Sequence, residues 1–175
     1  KIIAAFGAEI ELTPADESLD GCLAKVAELC ESIPGAWFPN QFANLSNPGI
    51  HYRTTGPELW KDLKGEIDVF VAGIGSGGTL QGVGSFLKEK NPSIRIVAVE
   101  PRANSALLGR EPGLHQIQGI GDGFVPEVVD RNLIDFAFTV SDDEAIDVTR
   151  RLAREEGMLV GTSSGANVWA ALHLD

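Results

Sequence analysis

The chain has 175 residues, of which 43% are hydrophobic, enough for one sizeable domain or for one domain plus part of another. Its 25 acidic residues outnumber the 14 basic ones, and the net charge of -11 argues against nucleic acid and anionic membranes as partners. The two cysteines, Cys22 and Cys30, fit neither a zinc motif nor a redox pair, so no metal site is predicted.

The first forty residues predict two helical segments and a short strand. Residues 1–6 have the pattern of the last turns of a helix, and Gly7 follows at a usual helix-stopping position. Residues 9–12 predict a strand, and residues 19–32 predict a helix with apolar side chains at helical spacing. The polar stretch 40–49 then indicates a crossover to a second domain.

The rest of the chain alternates between strand and helix patterns. Residues 68–73 are apolar without alternation, which is typical of a strand covered on both faces of a parallel sheet. A long glycine-rich loop occupies residues 101–126. The predicted strands are 67–72, 94–99, 136–140 and 158–160, and the predicted helices are 51–63, 80–89, 142–156 and one running to the chain end. This order predicts a doubly wound, mostly parallel α/β sheet, and the helical patterns at both ends indicate a fragment.

The segment 73–82 predicts a phosphate-binding loop between a buried strand and a helix. Glycines at 75, 77 and 78 let the backbone approach an anion, and the helix start offers free N–H groups. The segment contains no lysine or arginine, so backbone donors and the hydroxyls of Ser76 and Thr79 would hold the charge.

The loop alone leaves two other interpretations open. Gly73, Gly75 and Gly78 also satisfy the dinucleotide fingerprint, with Glu100 placed as a ribose-binding acid after the next strand. Alternatively, the glycines serve only a tight turn and close helix packing.

Four motifs in order along the chain favour a particular phosphate. They are Gly-Ser-Gly-Gly-Thr at 75–79, Asn-Gln-Phe-Ala-Asn-Leu-Ser-Asn-Pro at 40–48 with Thr-Thr-Gly-Pro-Glu at 54–58, the run from Gly113 to Pro126, and Gly-Thr-Ser-Ser-Gly-Ala at 161–166. Together they cover nearly the whole chain. The sequence therefore resembles the cysteine synthase (O-acetylserine sulfhydrylase) family, whose members are fold-type II pyridoxal-phosphate enzymes related to the tryptophan synthase β subunit.

The resemblance implies a role for each motif. Ser163 would hydrogen-bond the pyridine nitrogen of pyridoxal 5'-phosphate, and a neutral partner there favours β-replacement over transamination. Gln41 would contact the substrate carboxylate. The remaining residues implied at the site are the cofactor-binding Gly75, Ser76, Gly77, Gly78 and Thr79 and the substrate-side Gly119 and Gly121. From the residues alone, Ser163 is an ordinary helix cap, Gln41 a polar loop residue and the two glycines turn residues.

Departures from the family pattern concern substrate preference and the catalytic base. Asp122 adds a charge where the family usually has a small residue, and Thr162 is also unusual. No lysine matches the Schiff-base lysine motif, which the family places upstream, so no catalytic residue is predicted in this chain. The lysines present are Lys1, Lys25, Lys61, Lys64, Lys88 and Lys90.

The family's reaction would convert O-acetyl-L-serine and sulfide to L-cysteine and acetate, with this chain alone inactive. Cystathionine β-synthase-type β-replacement, a nicotinamide-dependent dehydrogenase and a catalytically inactive binding module are the alternatives. The acetyl or phosphoryl nature of the activated serine stays open.

The resemblance also implies a domain division and partners. Residues 1–40 would be the tail of the smaller domain, and residues 41–175 most of the larger, cofactor-binding domain. A homodimer that recognises the C-terminal tail of serine acetyltransferase is expected. No membrane or nucleic-acid partner is expected. The sparse cysteines favour a cytoplasmic location, which leaves open an organellar targeting segment before Lys1.

Overall fold

The computed structural model describes residues 1–14 and 17–174, divided into a first unit, Lys1–Pro39, and a second unit, Asn40–Asp175. The first unit contains helices α1 (Ile2–Ala5) and α2 (Ser18–Ser32). Its described residues form no strand at 9–12, where the sequence predicted one. A strand requires a neighbouring backbone to pair with, and no described segment of this unit supplies one.

The second unit carries three strands and five helices in its described residues. Its elements in order are α3 (Ser46–Arg53), α4 (Thr55–Asp62), β1 (Val69–Gly73), α5 (Gly78–Lys90), β2 (Arg95–Pro101), a 3₁₀ turn (Arg131–Leu133), β3 (Phe136–Val140), α6 (Asp142–Glu155) and α7 (Thr162–Leu172). The order of strands and helices matches the predicted alternation from β1 onward, except at residues 158–160.

The three strands form one parallel sheet in the order β1, β2, β3. The central strand β2 is buried along nearly its whole length, whereas β1 and β3 are mostly half-buried. Ile96 and Ala98 of β2 belong to one apolar cluster and Val99 to another, so alternate side chains serve opposite faces of the sheet. The predicted α/β class with a parallel sheet is therefore confirmed.

The two apolar clusters place helices on both faces of the sheet. The first unites strand residues with α5, and its buried members include Leu80, Val83, Leu87, Ile94 and Ile96. The second unites β2 and β3 with α6 and α7, and its buried members include Val99, Val140, Ala145, Ala166 and Ala170. Helices on both faces leave the carboxyl ends of the strands as the open edge, where ligands bind in such sheets.

Helix α3 lies directly against α5 because Gly82 has no side chain. A Cβ built on Gly82 would lie 2.2 Å from the Pro48 carbonyl oxygen and 2.9 Å from the Tyr52 nitrogen. Both neighbours are backbone atoms, so they have little freedom to move away. This contact brings the residues before α3 next to the start of α5.

Two other elements differ from the sequence prediction. The predicted helix 51–63 is two helices separated at Thr54, whose φ of -123° and ψ of -69° are not helical. Residues 158–160 are not a strand, and Leu159 is 94% exposed. Their sequence has the right pattern, but β1, β2 and β3 pair only with one another. None of the helices in the described ranges is long and apolar enough to cross a membrane.

Candidate active site

The loop between β1 and α5 leaves backbone N–H groups at the start of α5 without helical partners. Gly77 has φ of 78°, a left-handed conformation that favours glycine, and it precedes α5 without a capping side chain. The Gln81 amide donates to the Gly77 carbonyl at 2.9 Å, so the amides before it in the first turn have no helical partner. Free N–H groups and a helix dipole in this arrangement are the features with which helix starts bind anions.

The Gln41 segment is attached to this loop by Asn47. The Asn47 Nδ2 donates to the Gln41 carbonyl at 2.8 Å and to the Ser76 Oγ at 3.0 Å. Phe42 packs edge-on against Phe124, with 5.1 Å between the ring centroids. The exposed Gln41 side chain therefore lies on a segment fixed to the phosphate loop.

Thr79 takes part in a second polar chain at the start of α5. Its Oγ1 lies 3.2 Å from His51 Nε2, and His51 Nδ1 lies 2.9 Å from Thr55 Oγ1. The sequence predicts a role for Thr79 but for neither Asn47, which lies within the motif at 40–48, nor His51, which lies between the motifs at 40–48 and 54–58.

The loop containing Gly119 and Gly121 packs directly on the phosphate loop. A Cβ built on Gly75 would lie 2.4 Å from the Gly119 carbonyl oxygen, so only glycine fits at position 75. The Gly121 amide donates to the Ile74 carbonyl at 3.0 Å. Both Gly119 and Gly121 have positive φ, at 93° and 77°. These contacts hold the two loops together at the carboxyl end of β1.

The side chains of Asn104 and His115 hold the Gly119 loop, the loop that contains Gly119 and Gly121, in place through its backbone. The Asn104 Nδ2 donates to the Gly121 carbonyl at 2.7 Å, and His115 Nε2 donates to the same oxygen at 3.0 Å. His115 Nδ1 accepts from the Ile117 amide at 3.2 Å. Both imidazole nitrogens are thus used within the loop, and this gives His115 a structural role.

Ser163 lies at the start of α7, beside the Gly119 loop. A Cβ built on Gly119 would be 4.0 Å from the Ser163 Oγ, and the Thr162 Oγ1 donates to the Gln116 carbonyl at 3.3 Å. The N-cap of α7 is Gly161, and no side chain caps the helix. Ser163 is therefore not the helix cap, and its hydroxyl has no hydrogen-bond partner among the described residues.

Glu100 is committed to internal hydrogen bonds and does not serve a ligand. Its side chain is 3% exposed, and its carboxylate accepts from the Ser105 hydroxyl at 2.6 Å and from the Leu107 amide at 3.2 Å. A ribose-binding carboxylate would have to face the ligand. The geometry therefore argues against the dinucleotide alternative.

The site contains a carboxylate but none of the second unit's lysines. Asp122 Oδ2 would be 4.0 Å from a Cβ built on Gly75, and burial raises the pKa of Asp122 above its ordinary 3.8, while the His115 imidazole acts in the opposite direction. Lys88 and Lys90 lie in the last turn of α5, far along the helix from Gly78. No group of His, Cys, Asp and Glu in the described residues could hold a metal ion.

A glycine-rich loop with free helix N–H groups at the carboxyl end of a parallel strand is typical of α/β proteins that bind a phosphorylated ligand. The sequence pattern of one such family, the pyridoxal-phosphate dependent enzymes, matches residues 1–175. The chain belongs to this family, and the dehydrogenase alternative is thereby wrong.

The similar proteins are cysteine synthases and related enzymes. The cysteine synthase of Staphylococcus aureus is 47% identical over 172 residues, which are 98% of this chain and 55% of that protein. The chain thus spans about half the length of the curated relatives it matches.

Two solved structures have the same fold. The O-acetylserine sulfhydrylase of Entamoeba histolytica is 38% identical, with a TM-score of 0.90 over 98% of this chain and 51% of the other. An O-acetylserine dependent cystathionine β-synthase from Helicobacter pylori is 46% identical, with a TM-score of 0.90 over 98% of this chain and 56% of the other. These matches confirm the expected fold-type II architecture.

The residues present fit the family's cofactor. The open first turn of α5 and the hydroxyls of Ser76 and Thr79 suit a phosphate, and the unpaired Ser163 hydroxyl suits a neutral ring nitrogen. Phosphate binding without a cation is feasible because a hydrogen bond to a charged group contributes about 1.5–3 kcal/mol. Which of these residues touch the cofactor stays a prediction.

We predict that Asp122→Asn stabilises the protein at neutral pH. Burial raises the pKa of Asp122 in the folded state, so the protonated carboxyl is favoured there. The contribution of Asp122 to the free energy of unfolding is therefore fully present below the ordinary pKa of 3.8, and it is lost as the pH rises through the raised value. The melting temperature of Asp122→Asn should therefore exceed that of the wild type at about pH 7, and the difference should shrink towards about pH 4.

Glu144→Gln is the matched control with the opposite sign. Burial alone would raise the pKa of Glu144, but hydrogen bonds from the Ser141 amide and hydroxyl and from Arg102 lower it overall. This variant should be less stable than the wild type at neutral pH and approach it as the pH falls. A lower melting temperature for Asp122→Asn at neutral pH would show that a stabilising partner of the carboxylate outweighs its burial.

Proposed function

We propose that this chain forms most of the cofactor-binding site of a cysteine synthase. Such an enzyme converts O-acetyl-L-serine and sulfide to L-cysteine and acetate. The observation that carries the proposal is the convergence of the phosphate loop, the Gly119 loop and the unpaired Ser163 hydroxyl at the carboxyl end of β1. The similarity to cysteine synthases supports the same reaction.

The chain's residues would bind and orient the reactants. Bound pyridoxal phosphate supplies an electron-withdrawing ring that acidifies the α-proton of an attached amino acid. Gly75, Ser76, Gly77, Gly78 and Thr79 would hold the phosphate, and Ser163 would donate to the ring nitrogen. Gln41 would bind the substrate carboxylate beside Gly119 and Gly121. Fixing both ends of the reactants in this way selects the bond to be broken.

The catalytic base belongs outside this set of residues. We propose that a lysine in a preceding segment would hold the cofactor and serve as the acid–base group at the α-carbon, because no lysine of the second unit lies within residues 73–82 or 113–126. We further assign residues 1–40 to the smaller domain and 41–175 to the larger one. The division of the chain after Pro39 supports this assignment.

A cystathionine β-synthase-type reaction is the second candidate, and the similarity to the Helicobacter pylori enzyme favours it. The two reactions share the activated serine and differ in the nucleophile, which is sulfide in one and the thiol of homocysteine in the other. Asp122 influences which nucleophile is preferred, because its carboxylate lies near Gly75 and alters the electrostatic potential where the nucleophile would enter.

We predict that the full-length protein loaded with pyridoxal phosphate forms cysteine from O-acetyl-L-serine and sulfide, and that residues 1–175 alone do not. Among the described residues of the second unit, no lysine lies in the loops that form the proposed site. Cysteine and cystathionine are quantified with each nucleophile supplied separately. Faster cystathionine formation would select the second candidate, whereas sulfide-dependent turnover by residues 1–175 would show that the catalytic base is in this chain.

We predict that Ser163→Ala in the full-length enzyme lowers kcat at least about tenfold with little loss of stability. The hydroxyl makes no hydrogen bond within the described residues, so its removal breaks no internal hydrogen bond. A tenfold loss corresponds to about 1.4 kcal/mol of transition-state stabilisation. Turnover, the absorption spectrum of the bound cofactor and thermal unfolding are measured together.

Ser164→Ala is the control for Ser163→Ala, because it removes the same group from the next position of α7. It should retain both turnover and the cofactor spectrum. If Ser163→Ala also retains them, the ring-nitrogen contact is wrong. If instead it melts at a markedly lower temperature, the hydroxyl has a structural role.

We propose that the full-length protein is a homodimer that binds the acidic C-terminal tail of serine acetyltransferase in the substrate cleft. The resemblance to cysteine synthases supports this partner. Isothermal titration with a tail peptide should give binding that O-acetylserine competes away, and sedimentation should give the mass of a dimer. Binding that is indifferent to O-acetylserine would contradict the location in the cleft.

A further inference from the structure

The side chain of Asn47 joins the two halves of the proposed site. Both protons of its amide nitrogen are used, one by the Gln41 carbonyl at 2.8 Å and the other by the Ser76 hydroxyl oxygen at 3.0 Å. Gln41 lies on the proposed substrate side and Ser76 in the proposed phosphate loop. The carboxamide of Asn47 therefore connects the Gln41 segment to Ser76, which lies 29 positions after Asn47 in the sequence.

The hydrogen bond to Ser76 fixes the direction in which that hydroxyl can donate. Because the Asn47 amide donates to the Ser76 oxygen, the hydroxyl proton is left for another acceptor. A bound phosphate would be such an acceptor. Without Asn47 the hydroxyl could rotate, and its donation to the anion would no longer be pre-arranged.

The other end of the carboxamide lies against the start of α5. A Cβ built on Gly78 would be 1.9 Å from the Asn47 Oδ1, which is closer than any real contact of this kind. Asn47 is the second residue of α3, whose packing on α5 depends on Gly82. The position of the carboxamide is thus set by two packed helices and not by a mobile loop.

We propose that Asn47 is a positioning residue that couples substrate binding at the Gln41 segment to the binding of the cofactor phosphate by the loop at residues 73–82. The inference rests on the proposed function of the site. When a carboxylate ligand binds to the Gln41 segment and shifts it, the shift is transmitted through the Gln41 carbonyl to the Asn47 amide, which also orients Ser76. The environment of the cofactor phosphate should therefore change when such a ligand binds.

The test uses the full-length enzyme with pyridoxal phosphate and L-alanine, an amino acid without a β-leaving group. The affinity of the apoenzyme for the cofactor is measured, together with the ³¹P resonance of the bound phosphate with and without L-alanine. Asn47→Ala should bind the cofactor about three- to tenfold more weakly. The L-alanine-induced change in the ³¹P resonance, present in the wild type, should be lost.

Asn91→Ala is the matched control at the opposite end of α5. The Asn91 side chain also makes two hydrogen bonds, but as an acceptor: its Oδ1 accepts from the Ser93 amide at 3.0 Å and from the Ser93 hydroxyl at 2.7 Å. This variant should keep the wild-type cofactor affinity and the ³¹P response. Asn47→Asp keeps the shape of the side chain while removing both N–H donors, but its added charge would by itself weaken anion binding. If Asn47→Ala does not fold, the ³¹P response of Asn47→Asp to L-alanine therefore carries the test, and its cofactor affinity does not.

A double-mutant cycle separates positioning from a general loss of structure. If Asn47 acts through Ser76, the double variant Asn47→Ala with Ser76→Ala should bind the cofactor about as weakly as Ser76→Ala alone. Additive losses, or a ³¹P response to L-alanine that survives in Asn47→Ala or Asn47→Asp, would overturn the inference. A wild-type protein that binds no pyridoxal phosphate would instead overturn the proposed function.

Discussion

The close approach of two loop backbones at the carboxyl end of β1 is the constraint on which the rest of the site depends. A side chain at Gly75 would meet the Gly119 carbonyl, and the Gly121 amide completes the contact through Ile74. Glycine is required at 75 for space and at 119 and 121 for positive φ. With these loops in contact, the start of α5 and the start of α7 face a common space.

Hydrogen bonds from partly or fully buried side chains keep the loops containing Gly75 and Gly119 in contact. Asn104 and His115 both donate to the Gly121 carbonyl, so the backbone of the second loop cannot turn freely. Glu100 orders the segment that follows Asn104 by accepting hydrogen bonds from the Ser105 hydroxyl and the Leu107 amide. These hydrogen bonds restrain the second loop, although the buried Asn104 Oδ1 has no hydrogen-bond partner among the described residues.

The electrostatics of the site suit an anion held without a cation in an acidic protein. The chain carries a net charge of -11, and the loop from Gly73 to Gly82 contains no basic residue. The helix dipole of α5 and neutral donors therefore have to supply the attraction, and Asp122 near Gly75 opposes it when ionised. The orientation of each neutral donor consequently matters more than it would beside an arginine, which gives Asn47 its importance.

The sequence by itself determined the alternation of strands and helices from β1 onward, the phosphate loop and the family, because these depend on local periodicity and contiguous motifs. It could not decide whether Ser163 caps a helix, whether Glu100 faces a ligand, or that Asn47 orients Ser76. It also predicted strands at 9–12 and 158–160 that do not form. Hydrogen-bond partners and strand neighbours come from distant parts of the chain, and only the packing of α3 on α5 and of α7 beside the Gly119 loop brings them within reach.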